Sequence, residues 1–85
     1  MSGYVYILYS EKLNRYYVGS TDDLDRRLCE HNRKKGKYTD AGIPWVLCYT
    51  EEFPSRLEAY RREQEIKRKK SRLYIESLFS SVAKG

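Results

Sequence analysis

Six consecutive residues near the start, Tyr4-Val5-Tyr6-Ile7-Leu8-Tyr9, are apolar or aromatic, and ring and β-branched side chains predict a strand. A polar, turn-like stretch, Glu11-Lys12-Leu13-Asn14, separates them from Arg15-Tyr16-Tyr17-Val18-Gly19, which reads as the returning strand of a hairpin. Alternation puts Tyr4 and Tyr6 on one face of the first strand and Ile7 and Tyr9 on the other. On the second strand Tyr17 and Gly19 share a face, with Tyr16 and Val18 opposite. The pattern then turns helical: Leu24, Leu28 and the apolar half of His31 recur at i, i+4, i+7. Ser20 or Thr21 can cap this helix, Asp22 and Asp23 suit the positive end of its dipole, and it should fade by Lys35-Gly36.

Residues 36–44 read as a loop, with Gly42 and Pro44 as breakers. Trp45-Val46-Leu47-Cys48-Tyr49-Thr50 predicts a third strand. Ser55 and Glu58 after Pro54 form a capping box that starts a helix running to about Lys70. Ser71 can cap a last helix with Tyr74, Ile75, Leu78 and Phe79 inward. The order β-β-α-β-α-α is that of a small α+β domain built on a three-stranded sheet. A chain of 85 residues allows one domain, here 1–80, with a short C-terminal tail over 81–85.

Composition narrows the classes. A hydrophobic share of 40% argues against disorder. Two cysteines, Cys29 and Cys48, make no disulfide scaffold and read as free thiols in a reducing cytoplasm. The start lacks the basic and apolar regions of a signal peptide, and Tyr4–Tyr9 is too short to span a membrane. A net charge of +5 leaves two readings equal, a nucleic-acid partner or a merely soluble basic surface.

Three groups of residues could carry chemistry. On the second helix Ala59, Glu63 and Ile66 share a face, so Glu63 lies on or beside the inward stripe, while Glu58, Arg61, Arg62, Glu65 and Arg68 fall mainly on the other side. A carboxylate there must bind a cation or pair with a neighbouring Lys or Arg, and the ion pair is the plainer alternative. On the first helix Arg27 and His31 are four apart and face the sheet, offering an anion site with proton-transfer capacity. Snorkelling by Arg27 and a hydrogen-bonded filler role for His31 are the structural alternative. The third group is tyrosine: nine in the chain, five of them in the hairpin. Most should pack the sheet, yet a phenol can also bind phosphate, relay a proton or stack on a base. Cys29 and His31 diverge on their helix and Cys48 is distant, so no zinc spacing exists.

Tyr4-Val5-Tyr6, ten intervening residues, then Tyr17-Val18-Gly19 resembles the paired motifs of the GIY-YIG nuclease superfamily. The likeness continues through Leu24-x-x-Arg27-x-x-x-His31 and Ala59-x-x-x-Glu63-x-x-Ile66-Lys67, covering about residues 4–79. It is strongest to a small single-domain bacterial branch. The resemblance implies a three-stranded antiparallel sheet flanked by helices and a metal-dependent endonuclease that hydrolyses phosphodiester bonds in DNA. It implies Glu63 as the sole protein ligand of Mg²⁺ or Mn²⁺, bound weakly without substrate. Tyr6, Tyr17, Arg27 and His31 would surround the scissile phosphate, with Tyr6 as the general base by analogy and His31 by acidity.

Binding would come from Arg33, Lys34, Lys35 and Lys37 after the first helix and from Lys67 and Arg68 in the second. Phosphate contacts of this kind are salt-sensitive and carry little sequence preference, so structure or flexible strands are the expected targets. Tyr4 stands where the first motif usually has Gly. Many members carry an Asn downstream of the metal-binding Glu, but here the two Asn, Asn14 and Asn32, both lie upstream. That departure favours the alternative of a catalytically weak or inactive nucleic-acid-binding domain; a protein-interaction module is a third reading. One site would need a homodimer, or two successive nicks, to cut both strands.

Overall fold

A computed structural model describes residues 2–83. Strands β1 (Gly3–Ser10), β2 (Arg15–Thr21) and β3 (Trp45–Phe53) form one antiparallel sheet in the order β2-β1-β3. Helix α1 (Leu24–His31) follows the hairpin, α2 (Arg56–Lys69) follows β3, and α3 (Arg72–Ala83) closes the chain. The expected order and strand pairing therefore hold. Helix α3 takes in residues 81–83 of the expected tail, and residues 84 and 85 lie outside the described residues.

Both faces of β1 are buried because each carries a different helix. Val5 and Ile7 join Val18 with Ala59 and Ile66 of α2, and Tyr74, Ile75, Leu78 and Phe79 of α3 pack on this cluster. Tyr6 and Leu8, on the other face, join Trp45 and are covered by Tyr17 with Leu24 and Leu28 of α1. A central strand sandwiched in this way reads as a continuous apolar run rather than an alternating one.

Four local expectations change. Ser20 and Thr21 stay in β2, paired with Val5 and Tyr4, so the cap of α1 falls to Asp23, whose side chain accepts from Arg26 N at 3.1 Å. Helix α1 ends at His31, earlier than expected, because the Asn32 side chain leaves to clamp Trp45. The 36–44 loop contains a 3₁₀ turn, Tyr38–Gly42. At α2, Ser55 Oγ accepts from Glu58 N at 3.3 Å, but Glu58 returns to the Ser55 hydroxyl rather than to its backbone. Ser71 caps the last helix as expected, accepting from Tyr74 N at 3.1 Å.

Candidate active site

The antiparallel register sets the site. Tyr6 lies opposite Gly19 and Leu8 opposite Tyr17 on the α1 face, while Val5 lies opposite Ser20 on the α2 face. Since β2 is an outer strand, one of its edges is open; Glu63 of α2 reaches this strand through Ser20, and its charge acts on the Tyr6 phenol. The Tyr6 ring lies across Gly19, where a Cβ would stand only 2.6 Å from Tyr6 Cζ. Glycine at this position is therefore a requirement of the neighbouring phenol.

On the α1 face, Tyr6 Oη is 3.1 Å from His31 Nε2. The Tyr17 ring meets the His31 ring edge-on with centroids 4.5 Å apart, and stacks with Tyr6 at 6.4 Å. Arg27, one helical turn before His31, lies beside the Tyr6 phenol and is held by Glu30 at 2.9 Å. Burial pushes the Tyr6 phenol up from its ordinary value, although Arg27 partly opposes the shift. Burial, reinforced by the positive charges of Arg27 and Lys35, pushes His31 down, so its ring is neutral at pH 7. With the proton on Nδ1, Nε2 accepts from Tyr6.

On the α2 face Glu63 is only 8% exposed. Its Oε1 accepts from Ser20 Oγ at 2.6 Å and its Oε2 pairs with Lys67 Nζ at 2.5 Å. The plain ion-pair alternative is thus present, with Lys67 as the partner. The same pair marks Oε2 as a cation position, and a hard oxygen donor suits Mg²⁺. Among the described residues no group of three His, Cys, Asp or Glu could hold a metal, so an ion held by Glu63 would draw most of its ligands from water and substrate oxygens.

A cleft of about 200 Å³ on the α1 face is lined by Tyr17, Arg27, His31, Arg33, Lys35 and Lys37, among others, but by neither Tyr6 nor Glu63. Lys67 lies on the wall of a neighbouring cleft of about 610 Å³, whereas Lys34 and Arg68 line neither. The structure therefore gathers Tyr6, Tyr17, Arg27 and His31 on one face, brings Glu63 from the other, and distributes the predicted cations unevenly.

Residues 2–75 match the family described as the GIY-YIG catalytic domain. The chain belongs to the GIY-YIG family. This GIY-YIG domain is 49% identical to the UPF0213 protein VNG_2274C of Halobacterium salinarum over 75% of its length and 83% of that protein's. It is 42% identical to the UPF0213 protein YazA of Bacillus subtilis over 76% of its length and 70% of that protein's. The solution NMR structure of the UPF0213 protein BH0048 from Bacillus halodurans superposes with a TM-score of 0.59 at 44% identity, covering 94% of this chain and 84% of that one. The GIY-YIG fold is a nuclease fold that acts on nucleic acid, and its nucleases generally depend on a divalent metal.

Several residues that shape this GIY-YIG site escaped the sequence reading. Ser20 orients Glu63. Asn32 donates to Trp45 O at 2.9 Å and accepts from Trp45 N at 2.6 Å, fixing the end of α1 and with it His31. Arg62, expected on the outer side of α2, is only 20% exposed at its side chain. It reaches Glu51 on β3 through Nε at 2.9 Å and Nη2 at 3.2 Å, pairs with Glu65, and donates to Tyr74 of α3 at 3.1 Å. Burial and the Glu51 contact push Tyr49 up to about 12, while Arg62 and Tyr49 outweigh burial to hold Glu51 below the usual carboxylate range.

The network locks the rotation of α2 one residue before Glu63. Replacing Arg62 by Met leaves Glu51 without its cation. The expected loss is about 2–3 kcal/mol, between exposed and fully buried pairs. Thermal unfolding by circular dichroism should show the midpoint falling by about 8–24 °C. An unchanged midpoint would mean that the network does not hold the helix.

Proposed function

We propose that this protein is a metal-dependent endonuclease hydrolysing phosphodiester bonds in DNA, with Tyr6, Tyr17, Arg27, His31 and Glu63 as its working set. The observation that carries the reading is the Tyr6–His31 hydrogen bond of 3.1 Å, made by a histidine that lines a basic cleft together with Arg27. A lone structural His needs neither the adjoining cation nor the open face. Deprotonating a free phenol at pH 7 costs about 4 kcal/mol, and burial makes Tyr6 a still weaker acid. Neutral His31 answers that cost: the phenol oxygen takes a proton from the attacking water as its own proton passes to Nε2.

Arg27, aligned by Glu30, offsets negative charge on the phosphoryl oxygens as the water adds. The Tyr17 hydroxyl orients the phosphate or the water. Glu63 would hold Mg²⁺ or Mn²⁺, which when bound supplies charge stabilisation to the phosphate and the departing oxygen. Arg33, Lys35, Lys37 and Lys67 hold the flanking backbone, with Lys34 and Arg68 as outlying contacts. Cys29 and Cys48 are both free and exposed, which suits a cytoplasmic setting. Among the described residues no helix is long and apolar enough to cross a membrane.

A catalytically weak binding domain is the second reading, and one observation favours it. Both asparagines already have structural work: Asn32 on Trp45, and Asn14 on Tyr9 and Arg72. Neither is available for the position downstream of Glu63. The deciding experiment incubates labelled single-stranded, duplex and branched DNA with the protein in Mg²⁺, in Mn²⁺ and in chelator. Cutting only with metal supports the nuclease. Salt-sensitive binding with no cutting on any substrate would replace it with the binding domain.

A further inference from the structure

The small cleft before His31 and the larger one behind it share two residues, Tyr17 and Tyr38. They are two arms of a path that crosses the edge of β2 at the candidate site. The larger arm, about 610 Å³, lies between β2, α2 and α3 and falls within the range of ligand sites. Its wall combines aromatic surface, Tyr16 and Tyr17, with the cations Arg15, Lys67 and Lys70. Arg15 and Lys70 make no ion pair among the described residues, so their charge is free for an anion.

Tyr38 stands where the arms meet and is 86% exposed, an unusual exposure for a large aromatic side chain. Its backbone is held in place: Asp40 Oδ2 accepts from Lys35 N at 2.9 Å, Gly36 N at 2.7 Å and Lys37 N at 3.3 Å. Gly36 has the positive φ of 72° that this tight loop requires. One carboxylate thus presents Lys35, Lys37 and Tyr38 together on the rim. An exposed aromatic ring between two cationic arms, next to a loop held by Asp40, matches the alternation of base and phosphate along an unpaired strand.

We propose that Tyr38 is a base-stacking residue, and that the cleft between β2, α2 and α3 receives the unpaired nucleoside next to the scissile phosphate. The proposal rests on the nuclease reading of the neighbouring site and adds to it a subsite for single-stranded DNA. A base in a duplex is already stacked and paired, so it cannot use this ring without leaving its neighbours.

The test uses a short DNA oligonucleotide carrying 2-aminopurine, in chelator, with its single-strand and duplex forms compared. Binding is read by anisotropy and stacking by quenching of the analogue. Tyr38→Ala should weaken single-strand binding by about five- to a hundredfold, the range of one base–aromatic stack, and abolish the quenching. Tyr38→Phe should restore both, and duplex binding should change little in either variant. Wild-type affinity in Tyr38→Ala, or an equal loss for duplex and single strand, would overturn the subsite.

Cutting of the same oligonucleotide in Mg²⁺ is measured alongside. Cutting that survives in Tyr38→Ala with unchanged affinity removes the subsite alone. Absence of both binding and cutting in the wild type removes the nuclease reading with it.

Discussion

Glu63→Gln is expected to abolish metal-dependent cleavage while leaving the fold in place. The change conserves volume on a face packed with Ala59 and Ile66, and an amide oxygen can still accept from Ser20. What it removes is the formal charge that holds Lys67, a partner whose side chain is 46% exposed, so the structural loss should be small. The catalytic loss should be large, because among the described residues no group of three metal-ligating side chains stands ready to hold the ion instead. Removing the charge stabilisation that depends on this group should lower the rate by roughly a thousandfold or more, several kcal/mol of barrier. Cleavage time courses over a metal titration, with melting curves as the control, check both halves. Retained cutting with normal metal dependence would remove Glu63 from the site.

His31→Ala should give the second large effect, a drop of about 10²–10⁴ in cleavage rate with a changed pH profile. In the wild type His31 must be neutral for Nε2 to take the Tyr6 proton. The rate should therefore fall as pH drops through the His31 value, which lies below its ordinary 6.5 because of burial and the charges of Arg27 and Lys35. That acid limb should vanish in the variant, leaving a rate that rises with pH toward ionisation of the phenol. Stability follows the same sign. The unfolded chain binds the His31 proton more readily, so its contribution is complete above the ordinary value and is lost as pH falls through the lowered one. A rate–pH profile of unchanged shape in His31→Ala would assign the proton to another acceptor.

The sheet and its helices were legible because β1 carries the apolar run Tyr4–Tyr9 and β2 the shorter run Tyr16-Tyr17-Val18, and because Ala59, Glu63 and Ile66 recur with helical period. Glu63 itself was visible as a carboxylate on an apolar stripe. The paired motifs then named the family, and Gly19 under the Tyr6 ring explains physically why one of them ends in glycine.

What escaped depends on distant partners. Arg62 looks solvent-facing on a helical wheel, and only the arrival of Glu51 and Tyr74 turns it inward. Asn32 and Asp40 act on backbone groups, which a side-chain pattern does not record. Ser20 read as a helix cap because its pairing with Val5, and hence its reach to Glu63, is a property of register. Nor does periodicity alone say that α1 and α2 cover opposite faces, so the assembly of the site around an outer strand emerges only in three dimensions.

That placement on the rim of the sheet has a topological consequence. A polymer can be laid sideways across an open edge, with no need to pass a free end through an aperture. Nothing in such an arrangement measures distance from a terminus. A closed circle of DNA should therefore be admitted as readily as a linear piece, and where the chain is cut should depend on where it is unpaired rather than on how far that point lies from an end.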